Sequence, residues 1–219
     1  MSVSTARVLT HMFSEISKAI DAEKDRLTAL DGAIGDADHG ITMSLGFNAV
    51  TTQLSSTDLD TVTASEVFTI AATTFLNAVG ASTGPLYASA FLNVAQVFKK
   101  HRTLSIACQV EMIEAIAAGI RARGKGELGD KTMLDAWIPA AEAAKQAQLQ
   151  GANAADLWTR MTEAADRGAY ATRSMVAARG RALRLGERAL GHIDPGAASA
   201  VIILRAMMES LSWTAFASE

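Results

Sequence analysis

A chain of 219 residues, 49% apolar and 20% charged, is long enough to bury a substantial core and is globular rather than disordered. A formal charge of −3, with no long Lys/Arg block, argues against nucleic acid as a partner. The single cysteine, Cys108, excludes an intrachain disulfide, and only three prolines among frequent alanines favour helix over sheet.

The amino end lacks the unbroken apolar core of a signal peptide. The most apolar run, from Ala197 to Met208, is interrupted by Arg205 and falls short of the ~20 residues that span a bilayer. A cytoplasmic protein that engages no membrane is expected.

Val8, Leu9, Met12, Phe13, Ile16 and Ile20 recur at helical spacing and predict a first helix from about Ser4 to the mid-twenties. An acidic loop follows. A second helix opens near His39 to Thr42, with Met43, Phe47 and Val50 on its apolar face. A third starts at Ser65 and ends at Gly80-Ala81-Ser82-Thr83-Gly84. Pro85 fits the first position of a fourth, where its missing N–H has no intrahelical partner. Ser105 caps a fifth, which stops at Gly124-Lys125-Gly126. Asp130 caps a sixth, with Pro139 as a kink inside it. A seventh runs from Asn153 to about Arg179, and an eighth follows Asp194-Pro195-Gly196. Eight helices and no convincing strand give an all-α fold. Short connections make sequential helices antiparallel, which brings the loops after helices one, three and five, and the loop before helix eight, to one end.

Those loops hold the polar chemistry. Asp31, Asp36 and Asp38 fall within eight residues, with Gly32, Gly35 and Gly40 between and after them to let the loop turn tightly. Like charges this close repel, so a hard cation such as Mg²⁺ or Ca²⁺ suits the cluster. A solvated acidic loop would read the same in isolation. The spacing is not that of an EF-hand. His39 and Thr42 stand at a helix start, where amides and dipole favour phosphate, or where a hydroxyl simply caps. Ala81, Ser82 and Thr83 form a small-residue turn open to a ligand, but no Gly-Lys-Ser/Thr follows, so it is not a P-loop. Lys131 reads either as a phosphate contact or as a solvated first-turn residue. Met133 reads as core or as a soft surface for an adenine ring. Arg181, Arg188 and His192 precede the Asp-Pro-Gly turn, and an Arg beside polyphosphate stabilises transferred charge. Trp137, Trp158 and Trp213 read as core or interface. Cys108 has no His near it in sequence, which speaks against a thiolate nucleophile.

Four of these segments, in order, carry a resemblance. They are Gly35-Asp36-Ala37-Asp38-His39-Gly40, Ser82-Thr83-Gly84-Pro85-Leu86-Tyr87, Gly129-Asp130-Lys131-Thr132-Met133, and Leu185-Gly186-Glu187-Arg188 through His192-Ile193-Asp194-Pro195-Gly196-Ala197. Together they resemble the nucleotide-binding domain of dihydroxyacetone kinases, in the form of its stand-alone L subunit (DhaL). The resemblance spans nearly the whole length. It implies one domain over 1–219, an antiparallel eight-helix barrel with a nucleotide site at one end.

By the same resemblance, Asp31, Asp36 and Asp38 hold two Mg²⁺ ions that bridge the phosphates of ADP or ATP. Nucleotide contacts carry over to His39, Thr42, Met43, Ala81, Ser82, Thr83, Gly124, Met133, Arg181, Asp194, Pro195 and Gly196. Arg181 joins the three aspartates in the catalytic set. Two departures stand out: Ala81 makes the phosphate turn bulkier, and Leu183-Arg184 is more basic and less polar than the family pattern. The implied partners are a K-type subunit that holds the ketose through a covalent bond to a His, and a phosphotransferase-system M-type subunit that rephosphorylates bound ADP. Self-association as a homodimer is a further expected assembly. The alternatives are an ATP-dependent split kinase for dihydroxyacetone or a related ketose such as erythrulose, and a non-catalytic nucleotide-sensing module.

Overall fold

The computed structural model describes residues 4–212, and among them there are α-helices and 3₁₀ turns but no strand. α1 (Thr5–Ala22) opens where the Ser4 side chain accepts from the Arg7 amide, and it buries the predicted stripe from Val8 to Ile20. The first predicted helix is in fact two. The chain breaks at Glu23, which ends α1 and begins α2 (Lys24–Ile34). Asp31 therefore stands on the last turn of a helix, not in a loop. Glu23 is neither Pro nor Gly, so no breaker marks this bend. Packing fixes it: a Cβ on Gly40 would collide with the Lys24 carbonyl and the Thr28 side chain.

α3 spans His39–Ser55, and α4 (Ala64–Ala78) starts at a capping box in which Thr63 and Glu66 satisfy each other's amides. α5 (Thr83–Phe98) begins two residues before Pro85, which sits in its first turn rather than at its first position. α6 is Ile106–Gly124, capped by Ser105 as expected. α7 (Leu134–Leu149) starts after Met133, not at Asp130, and contains Pro139. α8 (Ala154–Ala171) ends well before Arg179. It passes into a 3₁₀ turn at Thr172–Ser174, and a second lies at Arg181–Ala189. α9 (Pro195–Leu211) is capped by the Asp194 side chain. Trp137 and Trp158 are fully buried, and Trp213 lies outside the described residues.

α1 packs on α3, each helix from α3 to α8 packs on the next, and α9 returns to α1. These eight helices close an antiparallel barrel. α2 lies apart from that ring, against α3, α9 and the second 3₁₀ turn. The starts of α3, α5, α7 and α9 and the end of α6 all face one cavity. The helix alternation thus gathers the motif-bearing loops at a single end.

One continuous apolar core runs through the barrel. Its α1–α3–α4–α5 side is filled by Phe13, Phe47, Phe68, Phe75, Tyr87 and Phe91, whose rings meet mostly edge to face. The α7–α8 side packs on small residues, Ala136, Ala140, Ala144 and Ala147 against α8. A satellite cluster of Ile34, Ala177 and Ala189 seats the segment after α8 on α2. Among the described residues no helix is long and apolar enough to cross a membrane.

Candidate functional site

The cavity at the loop end has a volume of about 460 Å³. The acidic cluster forms one side. Asp31, Asp36 and Asp38 each offer a carboxylate oxygen, and these oxygens lie within 4.8 Å of one another. Helix geometry sets this up. Asp31 projects from the end of α2, and its Oδ2 accepts from the Asp38 and His39 amides at 2.9 and 3.2 Å. That carboxylate caps α3 from outside the helix and draws the 35–38 turn back over α2. Ala37 completes the reversal in the left-handed region, at φ 61°.

The cluster is electrostatically crowded. Burial, then Asp36 and then Asp31, push the Asp38 carboxyl above its ordinary value. Arg181 supplies a counter-charge by pairing with Asp36, and it stands 4.0 Å from Asp38. An all-oxygen donor set with one monovalent counter-ion fits a hard divalent ion in place of, or beside, the guanidinium.

The rest of the lining includes helix starts. α9 is capped by Asp194, whose Oδ2 accepts from Ala197 N at 2.7 Å. α7 is capped by Thr132 and Asp135: Leu134 N donates to Thr132 Oγ1, and Asp135 accepts from Gly129 and Thr132 amides. α5 differs, because its Ser82 makes no side-chain cap. The chain enters α5 so tightly that a Cβ on Gly84 would collide with the Val79 carbonyl. Gly84 N donates to the Ala81 carbonyl at 3.1 Å, and no side chain caps the start of α5, the kind of helix end that can receive an anion.

Ile34, Leu86, Ile120, Met133 and Leu134 also line the cavity and add apolar surface beside the polar groups. Such apolar surface suits a flat ring.

The structure brings Asp31, Asp36, Asp38, His39, Ala81, Ser82, Thr83, Gly124, Met133, Arg181, Asp194, Pro195 and Gly196 to this cavity. It does not bring Thr42 or Met43. Met43 is fully buried in the barrel core, and Thr42 sits a turn inside α3, its amide bonded to the Asp38 carbonyl. Arg188 and His192 do not line the cavity either, although the His192 carbonyl accepts from Lys131. Lys131 lines the cavity but is not solvated: it is 1% exposed, and its Nζ donates to the Thr172 and His192 carbonyls.

Two lining arginines escape the sequence reading. Arg123 faces the cavity from the last turn of α6, and Arg179 pairs with Asp130 at 2.8 Å. Asp135 is a further buried group at this end, and the Thr132-x-x-Asp135 capping-box pattern marks it in the sequence.

Two of the lining groups are shifted. Burial lowers the His39 imidazole to about 4, so it is neutral at pH 7, with Nε2 2.9 Å from Ser199 Oγ. Burial raises Asp194 to about 7. Far from the cavity, burial pushes the Cys108 thiol up to about 12, which removes it as a nucleophile.

A closed helical barrel that gathers four helix starts and three carboxylates round one cavity defines a class of small-ligand domain equipped for both cation and anion. The DAK2 domain model matches residues 33–209, and the chain belongs to that family. It is 36% identical over 201 residues to the ADP-binding subunit DhaL of PEP-dependent dihydroxyacetone kinase 2 from Listeria innocua, covering 92% of this chain and 93% of the relative. It is 34% identical over 206 residues to the corresponding DhaL subunit of Escherichia coli, covering 94% and 96%. The fold matches the crystal structure of the dihydroxyacetone kinase from C. freundii in complex with AMP-PNP and Mg²⁺, with a TM-score of 0.70 at 23% identity. That match covers 96% of this chain and 35% of the other.

Proposed function

We propose that the cavity binds a Mg-adenine nucleotide and that the chain is the nucleotide-binding subunit of a dihydroxyacetone kinase. One observation carries the reading: three carboxylates converge within 4.8 Å in a cavity whose lining also holds a helix start with no side-chain cap and several apolar side chains. The relatives named for ADP binding, and the fold neighbour bound to AMP-PNP and Mg²⁺, support it.

In this reading Asp31, Asp36 and Asp38 hold two Mg²⁺ ions. Bound there, Mg²⁺ neutralises polyphosphate charge and lowers the cost of moving a phosphoryl group. The first amides of α5 hold phosphate oxygens, and Arg181 turns from Asp36 to the charge that develops during transfer. Met133, Gly124, and the Asp194-Pro195-Gly196 turn hold the base and sugar. The chain's residues bind and orient and form no covalent bond to the phosphoryl group, so positioning supplies most of the acceleration.

The acceptor ketose sits on a separate K-type subunit, and an M-type subunit rephosphorylates ADP that stays bound in this cytoplasmic subunit. The test is reconstitution with both partners. Asp36→Ala or Asp38→Ala abolishes phosphoryl transfer, and full activity in either variant refutes the metal assignment. A second reading, exchangeable ATP as donor to dihydroxyacetone or a ketose such as erythrulose, draws on the AMP-PNP complex of the fold neighbour. ADP that survives gel filtration with the protein supports the first route, and free exchange with ATP supports the second.

A further inference from the structure

We propose that Lys131 is a positioning residue: its ammonium clamps three chain segments into the walls of the cavity and does not touch phosphate. The inference deepens the Mg-nucleotide reading, and rests on it for the choice of ligands only.

The backbone gives the first argument. Lys131 is left-handed, at φ 59°. A non-glycine residue there costs ~1 kcal/mol or more, and glycine would cost less. The strain is worth keeping only if the side chain has a task.

The side chain shows the task. It is 1% exposed, and lysine is almost never so buried without partners. Nζ donates to the Thr172 carbonyl and to the His192 carbonyl, both at 2.5 Å. The buried Asp135 and the half-buried Asp194 supply its counter-charge. Its partners thus come from the turn after α8, the turn before α9 and the start of α7.

The first two of those segments are already tied together. Asp194 N donates to Thr172 Oγ1 at 2.9 Å, Gly191 N donates to the Arg173 carbonyl at 2.7 Å, and Arg173 Nε donates to the Gly191 carbonyl at 3.2 Å. These bonds close the base of the 175–190 segment, which carries Arg179 and Arg181 to the cavity. Lys131 adds the α6–α7 loop to that base. The consequence reaches the ligand walls, because Met133 and Gly196 abut: a Cβ on Gly196 would lie 3.4 Å from Met133 Cβ. Two of the three ammonium protons point into carbonyls, so Lys131 is spent on architecture.

The test uses the full chain and three variants, Lys131→Met, Lys131→Gly and Lys131→Arg. Hydrogen exchange without any ligand reads the clamp directly. The amides of Gly191 and Asp194 should exchange about tenfold faster in Lys131→Met and Lys131→Gly, and Lys131→Arg should recover part of the protection. Calorimetry then compares adenosine with Mg-ADP. A site assembled only part of the time weakens both ligands by the same factor, about tenfold. Loss confined to ADP, with adenosine unchanged, makes Lys131 a phosphate ligand and overturns the proposal. Unchanged exchange at Gly191 and Asp194 overturns it equally. If the parent binds neither adenosine nor ADP, the nucleotide reading fails, and the exchange result alone decides the clamp. If Lys131→Met does not fold, Lys131→Gly, freed of the backbone strain, carries both measurements.

Discussion

The body of the barrel and its cavity end follow opposite rules. In the body, Phe13, Phe47, Phe68, Phe75 and Phe91 fill the space between α1, α3, α4 and α5, and nearly every buried side chain is apolar. At the end, Asp31, His39, Lys131 and Asp135 are buried, Asp194 is half-buried, and Ala37, Lys125 and Lys131 hold left-handed backbone. Buried charge and strained backbone both cost free energy, and no isolated loop could hold them. The contrast teaches a division of labour: the body supplies the stability that lets the end keep charges and conformations a ligand site needs.

The largest break in that contrast comes from emptying the body. Phe47 contacts the Phe75, Tyr87 and Phe91 rings and is fully buried. Phe47→Ala should cost ~3–5 kcal/mol in urea unfolding, from lost transfer energy and the cavity left behind. Asp36→Asn is the matched change at the end. It should leave the unfolding free energy within ~1 kcal/mol and remove Mg²⁺ binding, because it relieves crowding while costing an exposed ion pair. Equal losses from the two would erase the distinction.

The next effect reads two shifted groups of the end through pH, in EDTA. Asp194 titrates near ~3.9 when unfolded and at about 7 when folded. The folded state holds its proton more tightly, so its contribution is present at low pH and is lost as pH rises toward 7. His39 titrates near ~6.5 when unfolded and at about 4 when folded. Its contribution is present above ~6.5 and is lost as pH falls toward 4. Between those values the slopes oppose, and the parent should be nearly flat. Asp194→Asn should lose on the order of 2 kcal/mol on acidification through that window, and His39→Gln should gain a similar amount. Urea midpoints across the range measure both, and parallel profiles for the two variants would mean that neither group is shifted as described.

The same division explains what the sequence made legible. Helical spacing located the body, since apolar stripes such as Val8 to Ile20 are dictated by the core they face. The carboxylate trio was legible because charge crowding is visible in one dimension. What escaped depends on contacts between distant segments. The bend at Glu23 is set by the approach of α3 to α2, so nothing local announces it. Lys131 is buried because carbonyls 41 and 61 residues away reach it. The end of α8 at Ala171 follows from Thr172, whose hydroxyl bonds Ala169 behind it and accepts from Asp194 ahead. Met43, by contrast, was legible as core, on one apolar face with Phe47 and Val50, and its ligand role came from the resemblance alone.

A smaller effect concerns the metal cluster itself. Arg181 occupies the carboxylates that a divalent ion would use. The guanidinium is 64% exposed, so its pairing contributes at most ~1 kcal/mol. Arg181→Met should therefore tighten binding of Mn²⁺ alone by up to about fivefold, while weakening Mg-ADP. Titration with each, separately, checks the opposite signs. Weaker binding of both would make Arg181 a support of the cluster rather than a competitor in it.

The smallest effect tests whether strain at the end is stored in its backbone. Ala37 lies between two of the three carboxylates at φ 61°, and its methyl group leans on Gly32, where an added Cβ would lie 3.3 Å away. Glycine adopts that conformation without the clash of Cβ and carbonyl, but it also frees the unfolded chain. Where native φ is positive the first term wins, so Ala37→Gly should raise stability by ~0.5–1 kcal/mol. The carboxylates are held by the Asp38 and His39 amides bonded to Asp31, which the change leaves in place. Mn²⁺ affinity should then stay as it is. A stability gain with weaker metal binding would show instead that the strained turn aims Asp36 and Asp38, and that the end holds its shape through strain as well as through hydrogen bonds.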